Sequence, residues 1–274
     1  MNNKIEELKS MATVIRKDIV TMLTESKSGH PGGSLSAADI ITTLYFKEMN
    51  IDPKNPKDPN RDRFVLSKGH AAPVLYSALA RRGFFNPKEL LTLRKIGSNL
   101  QGHPNMNDVS GVDMSTGSLG QGISTAVGMA MAGKLDNKDY RVFSILGDGE
   151  LEEGQVWEAA MSAAHYKLDN LTAFVDFNGL QIDGDITKVM SPLPIDKKFE
   201  AFNWNVIVID GHNFEEIIGA IEKAKATKGR PTCILCNTVK GKGVSFMENE
   251  AGWHGAAPTK EQCAQAIKEL GGDK

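Results

Sequence analysis

The sequence predicts an α/β protein, a doubly wound and mostly parallel sheet with helices on both faces. Two observations carry this. Four β-type apolar runs, RVFSIL, LTAFVDF, WNVIVID and TCILCNTV, recur through the second half of the chain; the first two read as buried strands and the others continue the alternation. Helix-length segments alternate with them, and a strand–helix–strand unit implies parallel neighbours because a parallel pair needs a crossover. With 274 residues, 41% of them hydrophobic, the chain buries a substantial core as one large domain or at most two.

Each element follows from its local pattern. Ile5, Leu8, Met11, Ile15, Ile19 and Met22 recur at helical spacing among charges, so the first segment is an amphipathic helix and not a signal peptide. SGHPGGSLS, residues 28–36, reads as a loop because glycine and proline punctuate turns. AADIITTLYFKEM is a helix, and the next stretch, with Pro53, Pro56 and Pro59, is irregular. FVLS is a short strand, and KGHAAP leads into the helix VLYSALARRG. Residues 84–116 are mixed. GSLGQGISTAVGMAMAGKL has the small side chains of a helix packed closely on a neighbour. RVFSIL, the loop GDGELEEG, the helix QVWEAAMSAAHYK, the strand LTAFVDF and the loop NGLQIDG form one βαβ unit. WNVIVID, a helix over about 214–226 and TCILCNTV continue it. Thr259 and Gln262 form a capping-box pattern for a last helix, which Gly271 and Gly272 stop.

Composition excludes several function classes. Net charge is −2 with both signs interspersed, so no basic stripe argues for nucleic acid. No apolar run approaches membrane-spanning length, and a soluble, cytoplasmic protein is expected. The three cysteines include CILC at 233–236, but on a strand residues three apart face opposite ways, and no second pair completes a zinc site. Buried thiols in a reducing compartment are expected.

The chemistry gathers at glycines. Of six histidines, His30, His70, His103 and His212 each follow a glycine and His254 precedes one, which suggests loops converging on one pocket. His165 sits in an ordinary helical pattern and reads as structural. In open α/β sheets ligands bind beyond the carboxyl ends of strands. Asp148, in GDG, and Asn178 follow two such ends. Alone, Asp148 reads as a helix N-cap and Asn178 as a turn residue. Together, at matching ends of one βαβ unit, a carboxylate, an amide oxygen and a main-chain carbonyl make an oxygen-only set suited to Mg²⁺ or Ca²⁺. Gly147 and Gly149 bare the backbone N–H groups for an anion, so the implied ligand is a diphosphate held through a divalent ion. GSLGQG lacks the spacing and preceding strand of a dinucleotide fingerprint, and KGKGVS lacks the full phosphate-loop spacing, which argues against a nucleotide-binding oxidoreductase.

The segment from GDG through DFNGLQIDG resembles the thiamine diphosphate motif of transketolases. SGHPGGSL, RFVLSKGHAAPVLY, GHPN, TGSLGQGISTAVGMAMA, TVKGKG and WHG also occur in the order seen in that family, so the resemblance runs from about residue 10 to 257. It implies that residues 1–274 are one diphosphate-binding domain with an N-terminal helical extension and a C-terminal helix. It implies that Asp148, Asn178 and the Leu180 carbonyl hold the metal. Gly149 and Lys240 then meet the diphosphate with His70 close by, and Gly117, Leu119 and Ile182 contact the cofactor rings. His103 grips the donor's terminal hydroxyl, His30 and His254 line the substrate channel and move protons, and the glycines around His30 keep that channel open. Glu153 and Glu158 resemble an acidic interface network coupling paired active sites, although an exposed helix face explains them equally. Where many thiamine enzymes carry two Asn, this chain has Asn178-Gly179.

A complete transketolase is more than twice this length, and its pyrimidine-activating glutamate comes from a second domain that nothing here matches. The resemblance therefore implies the N-terminal subunit of a split transketolase of the pentose phosphate type. It acts on sugar phosphates with a separate C-terminal subunit, as two copies of each in a heterotetramer. Alternatives are one component of a deoxyxylulose-phosphate synthase or 2-oxoacid dehydrogenase, or a non-catalytic cofactor-binding regulatory module.

Overall fold

A computed structural model describes residues 2–272. The strands are β1 (Arg63–Leu66), β2 (Val142–Gly147), β3 (Leu171–Phe177), β4 (Leu180–Gln181), β5 (Gly184–Asp185), β6 (Asn205–Asp210) and β7 (Thr232–Asn237). Five of them form one sheet in the order β1-β2-β3-β7-β6, with every neighbouring pair parallel. β4 and β5 make a two-residue antiparallel pair within what the sequence reads as the NGLQIDG loop. The helices are α1 (Asn2–Ser26), α2 (Pro31–Ser36), α3 (Ala38–Thr43), α4 (Ala72–Arg82), α5 (Gln121–Leu135), α6 (Gly154–His165), α7 (Ile186–Val189), α8 (Ile195–Ala201), α9 (Phe214–Ala226) and α10 (Lys260–Glu269).

Strand alternation divides the core into two layers. Phe64, Leu66, Phe143, Ile145, Phe174 and Ile234 face α1, α3, α4 and α9. Val65, Val142, Leu146, Ala173, Val175 and Leu235 face α5, α6 and α8. Cys233 and Cys236 fall in opposite layers, fully buried, as the period-2 reading requires. Burial pushes both thiols up, so they are inert packing groups. In α1 the predicted stripe points inward: Ile5, Leu8, Ile15, Ile19 and Met22 are buried, and Met11 is half-buried. The Thr259–Gln262 capping box is formed, and Gly271 and Gly272 end α10 at positive φ.

Three local expectations are corrected. Residues 31–36 of SGHPGGSLS are helix α2, with all six residues buried. Pro31 suits the first helical turn, and neighbours on every side supply what local propensity lacks. Gly32 permits close contact, since a Cβ there would lie 2.9 Å from the Lys240 side chain and 3.0 Å from the Trp253 carbonyl oxygen, while Gly33 faces His70 and Lys68. The helix predicted over 37–49 gives way at Leu44 to a π-helical turn, Leu44–Glu48. The GSLGQG helix starts only at Gln121, because Gly120 adopts positive φ beside Glu153 and Gln155.

Candidate active site

β2 and β3 are neighbours with Gly147 opposite Asp176, so Asp148 and Asn178 leave adjoining strand ends. Asp148 caps the 3₁₀ turn Gly149–Glu152, accepting from Gly149 N at 2.9 Å with Oδ1. Its Oδ2 accepts from Gly179 N at 2.6 Å, which ties the two loops together. Asn178 Oδ1 accepts from Leu180 N at 3.2 Å. A cavity of about 130 Å³ opens here, and Gly147, Asp148, Gly149, Asn178, Leu180 and Lys240 line it together with His70, Leu119, Ile182 and His254. Of the residues expected to bind cofactor or metal, Gly117 alone is not on this lining; it packs against His103 instead. A larger, more open groove of about 770 Å³ between α1 and α10 contains none of them.

Lys240 follows β7 and is buried, with Nζ donating to the Leu180 carbonyl at 2.9 Å and lying 3.1 Å from His254 Nδ1. Burial pulls its ammonium down to about 8, with Asp148 opposing the shift. Asp148 is pushed up to about 6, first by burial and then by the nearby Asp176 charge. Burial is the main cause of both shifts; an added cation would favour the carboxylate and an added anion the ammonium.

His30, His70 and His254 form a triangle with ring centroids 5.2–5.4 Å apart. Burial, with Arg94 and His103 adding repulsion, lowers His30 to about 4. Burial and Lys240 lower His254 to about 4, and burial and Lys68 hold His70 well below its ordinary value. The rings are thus neutral at pH 7, and His30 Nδ1 is buried without a hydrogen-bond partner. At His30 and His254, near 6.5 when unfolded, the unfolded chain binds more protons than the folded one between about pH 4 and 6.5, while Asp148 acts in the opposite sense below about 6. The triangle's contribution to stability is whole above pH 6.5 and is lost as pH falls towards 4. Melting temperature should drop across that window, and His30→Gln with His254→Gln should flatten the slope; an unchanged slope in the double variant would refute the assignment.

Not every glycine-flanked histidine converges here. His103 is exposed at the rim, close enough for its charge to reach His30. His212 lies outside the cavity, bonded to Asp39 and Val239, which corrects the expectation for it. Glu153 and Glu158 are exposed at the start and on the outer side of α6, away from the cavity.

Three charged residues in the site escaped the sequence reading. Lys68 is buried on the lining, donates to the Gly33 carbonyl at 2.7 Å and pairs with Asp176. Asp176 also accepts from Ser36 and Thr238; burial works to raise its carboxyl, but Lys68, Ser36 and Thr238 together hold it below the ordinary value. Glu150 accepts from Ser67, from Gly120 N at 2.9 Å and from Gly147 N at 3.0 Å, joining three loops. A lysine just after strand β1 and an aspartate inside an apolar strand were the available signals.

The family model for the transketolase thiamine diphosphate binding domain matches residues 7–274. The chain is 49% identical to the 6-deoxy-6-sulfo-D-fructose transketolase subunit SqwG of Clostridium sp. (strain MSTE9), over 98% of both chains. It is 43% identical to an apulose-4-phosphate transketolase subunit from Phocaeicola vulgatus, over 97% of this chain and 95% of that one. Human transketolase is 45% identical over 97% of this chain, which spans 42% of the human protein. The crystal structure of Campylobacter jejuni transketolase superposes with a TM-score of 0.92 at 36% identity, over 97% of this chain and 43% of that one.

Proposed function

The chain belongs to the transketolase thiamine diphosphate binding domain family, and on that premise we propose that it is the cofactor-anchoring subunit of a split transketolase. It works with a separate subunit that carries the pyrimidine-binding domain, and together they transfer a two-carbon ketol unit between sugar phosphates. The observation that carries this reading is the cavity in which Asp148, Asn178 and the Leu180 carbonyl meet Lys240, Lys68, His70 and His254, with the His30 ring packed against both imidazoles just off the lining. The two relatives that this chain matches over nearly their whole length are themselves named as transketolase subunits, which supports a partner. The reading includes a cytoplasmic heterotetramer, two copies of each subunit, of the pentose phosphate type. Among the described residues, no helix is long and apolar enough to cross a membrane.

The site's donors fit the implied ligands. Asp148, Asn178 and Leu180 offer only oxygens, each with a lone pair beyond its present hydrogen bond, which suits Mg²⁺ or Ca²⁺. Were a cation held at the Leu180 carbonyl, its charge would turn Lys240 Nζ away, and Lys240, beside Lys68, would be available to a diphosphate. Gly149 starts its turn on the cavity lining, but its N–H already donates to Asp148 Oδ1 and that of Gly147 to Glu150, so these two amides reach an anion only by sharing or exchanging those bonds. Thiamine diphosphate supplies, when bound, the nucleophilic carbon and electron sink for breaking and making the carbon–carbon bond. This chain's own residues anchor, orient and move protons. Neutral His30 and His254 accept protons from sugar hydroxyls at their ring nitrogens and return them. His103, at the rim, holds the donor's terminal hydroxyl. Glu153 and Glu158 are exposed where a second copy of the chain can meet them.

Co-expression with the partner subunit tests the whole reading: ketol transfer is expected from the mixture and not from this chain alone. Full-rate transfer by the isolated chain overturns it. In the mixture, His103→Ala should lower kcat/KM for the ketose donor by about tenfold, the worth of a good hydrogen bond, with less effect on the acceptor. Unchanged donor kinetics would remove His103 from the site.

A further inference from the structure

The segment that presents Lys240 is held by backbone contacts that originate away from the cavity. Thr238 N donates to the Phe177 carbonyl at 3.0 Å, Gly241 N to the Gly32 carbonyl at 3.1 Å and Asn249 N to the Lys240 carbonyl at 3.0 Å. Two further contacts come from one buried chain of side chains. Arg16, on α1, forks onto Asp39 of α3 with bonds of 2.9 and 2.6 Å, and its Nε donates to the Lys242 carbonyl at 3.1 Å. Asp39 Oδ2 lies 2.8 Å from His212 Nδ1, and Val239 N donates to His212 Nε2 at 2.9 Å.

This geometry fixes the imidazole's tautomer. Nε2 accepts from a backbone N–H, so it is the bare nitrogen, and the proton sits on Nδ1 facing Asp39. Asp39 in turn is oriented by the bidentate Arg16 fork, the pairing with the most geometric specificity. The residue next to Val239 is Lys240, and the residue bonded through Arg16 lies two further on. A ligand-binding lysine is thus bracketed by main-chain bonds that end in one network.

We propose that Arg16, Asp39 and His212 are positioning residues for Lys240: they set the path of residues 239–242 and so the place at which the lysine meets the diphosphate. His212 acts through Val239 and touches no substrate. The proposal rests on the preceding functional reading only for the identity of the ligand. It also gives His212, the fourth glycine-flanked histidine, a role behind the pocket, as an outer support of the kind that orients inner ligands.

Two substitutions separate the histidine's two bonds. His212→Gln places an amide oxygen near the Nε2 position and keeps an acceptor for Val239. His212→Asn keeps a donor near the Nδ1 position for Asp39 and loses that acceptor. Amide hydrogen exchange of the chain without cofactor is expected to quicken at Val239 in His212→Asn and to stay near wild type in His212→Gln. In the assembled enzyme with Mg²⁺, the Kd for thiamine diphosphate should rise about tenfold in the Asn variant alone, the usual size of an outer-support effect. Wild-type exchange at Val239 in His212→Asn overturns the proposal. So does an equal effect of both variants on exchange, which marks a packing role. If His212→Asn does not fold, Arg16→Lys replaces it, removing the Nε bond to Lys242, with faster exchange over residues 239–242 expected and unchanged exchange refuting. If wild-type enzyme binds no thiamine diphosphate, the functional reading fails while the exchange result still decides the positioning role.

Discussion

Asp148→Ala is expected to abolish metal-dependent binding of thiamine diphosphate, weakening it by at least about 100-fold in calorimetric titration of the assembled enzyme. Asp148 is the one carboxylate on the proposed oxygen set, so the variant leaves a neutral amide and a carbonyl for a divalent ion. Its two oxygens also hold the Gly149 and Gly179 amides, and the loops on either side of the ion position would loosen together. That structural cost is below the roughly 1–3 kcal/mol of a fully buried amide left without an acceptor, because both amides are only partly buried. The variant should therefore remain folded near room temperature, and the binding loss should exceed what any thermal destabilisation explains. Chelation supplies the matching control: wild type should lose the cofactor on removal of the divalent ion, and the variant's residual binding should not respond. Wild-type affinity in Asp148→Ala, or cofactor binding indifferent to chelator, would remove the metal from the site.

The parts of this site that could be read from sequence share a physical reason. Asp148 and Asn178 stand out because a polar residue directly after an apolar strand is pinned to the sheet's carboxyl edge, and adjacency of β2 and β3 follows from the βαβ connection. The sheet was legible for the same cause: β2, β3 and β7 are buried on both faces and contrast with their surroundings, whereas the edge strand β6 leaves Val208 exposed and was read from its β-type run. Helix α2 was hidden because its stability is tertiary. Nothing in PGGSLS favours helix locally, and only the approach of Lys240 and Trp253 explains the glycine at 32. His212 was misplaced since a glycine-histidine pair looks the same whether its loop faces the cavity or the layer behind it. Lys68, Glu150 and Asp176 were passed over because most of the partners that explain them lie 30 to 140 positions away, and single-sequence patterns register no such pairing.

Lys68→Met is expected to be among the most destabilising single changes in the chain. Lys68 and Asp176 are both buried, and the pair sits where β1 and β3 end beneath the cavity. Removing one partner of a buried ion pair leaves an uncompensated charge and costs about 3–5 kcal/mol. At roughly 2–4 °C per kcal/mol for a chain of this size, melting should fall by about 10 °C. Ser36 and Thr238 still donate to Asp176, but neutral hydroxyls do not replace an ammonium in a dry setting. The carboxyl must then take up a proton or draw in water, and either response disturbs Thr238, from which the Lys240 segment departs. Cofactor affinity should fall in step, since the cavity loses one of its two lysines. Adding Asp176→Asn removes the stranded charge, so Lys68→Met/Asp176→Asn should melt well above Lys68→Met while still binding cofactor poorly. That split distinguishes the two contributions: recovery of stability belongs to the ion pair, and the persistent binding defect belongs to the lysine facing the ligand. A Lys68→Met protein that melts with wild type would show that Asp176 is already neutral in the fold, and the charge balance assigned to the site would have to be redrawn around Asp148 and Lys240 alone.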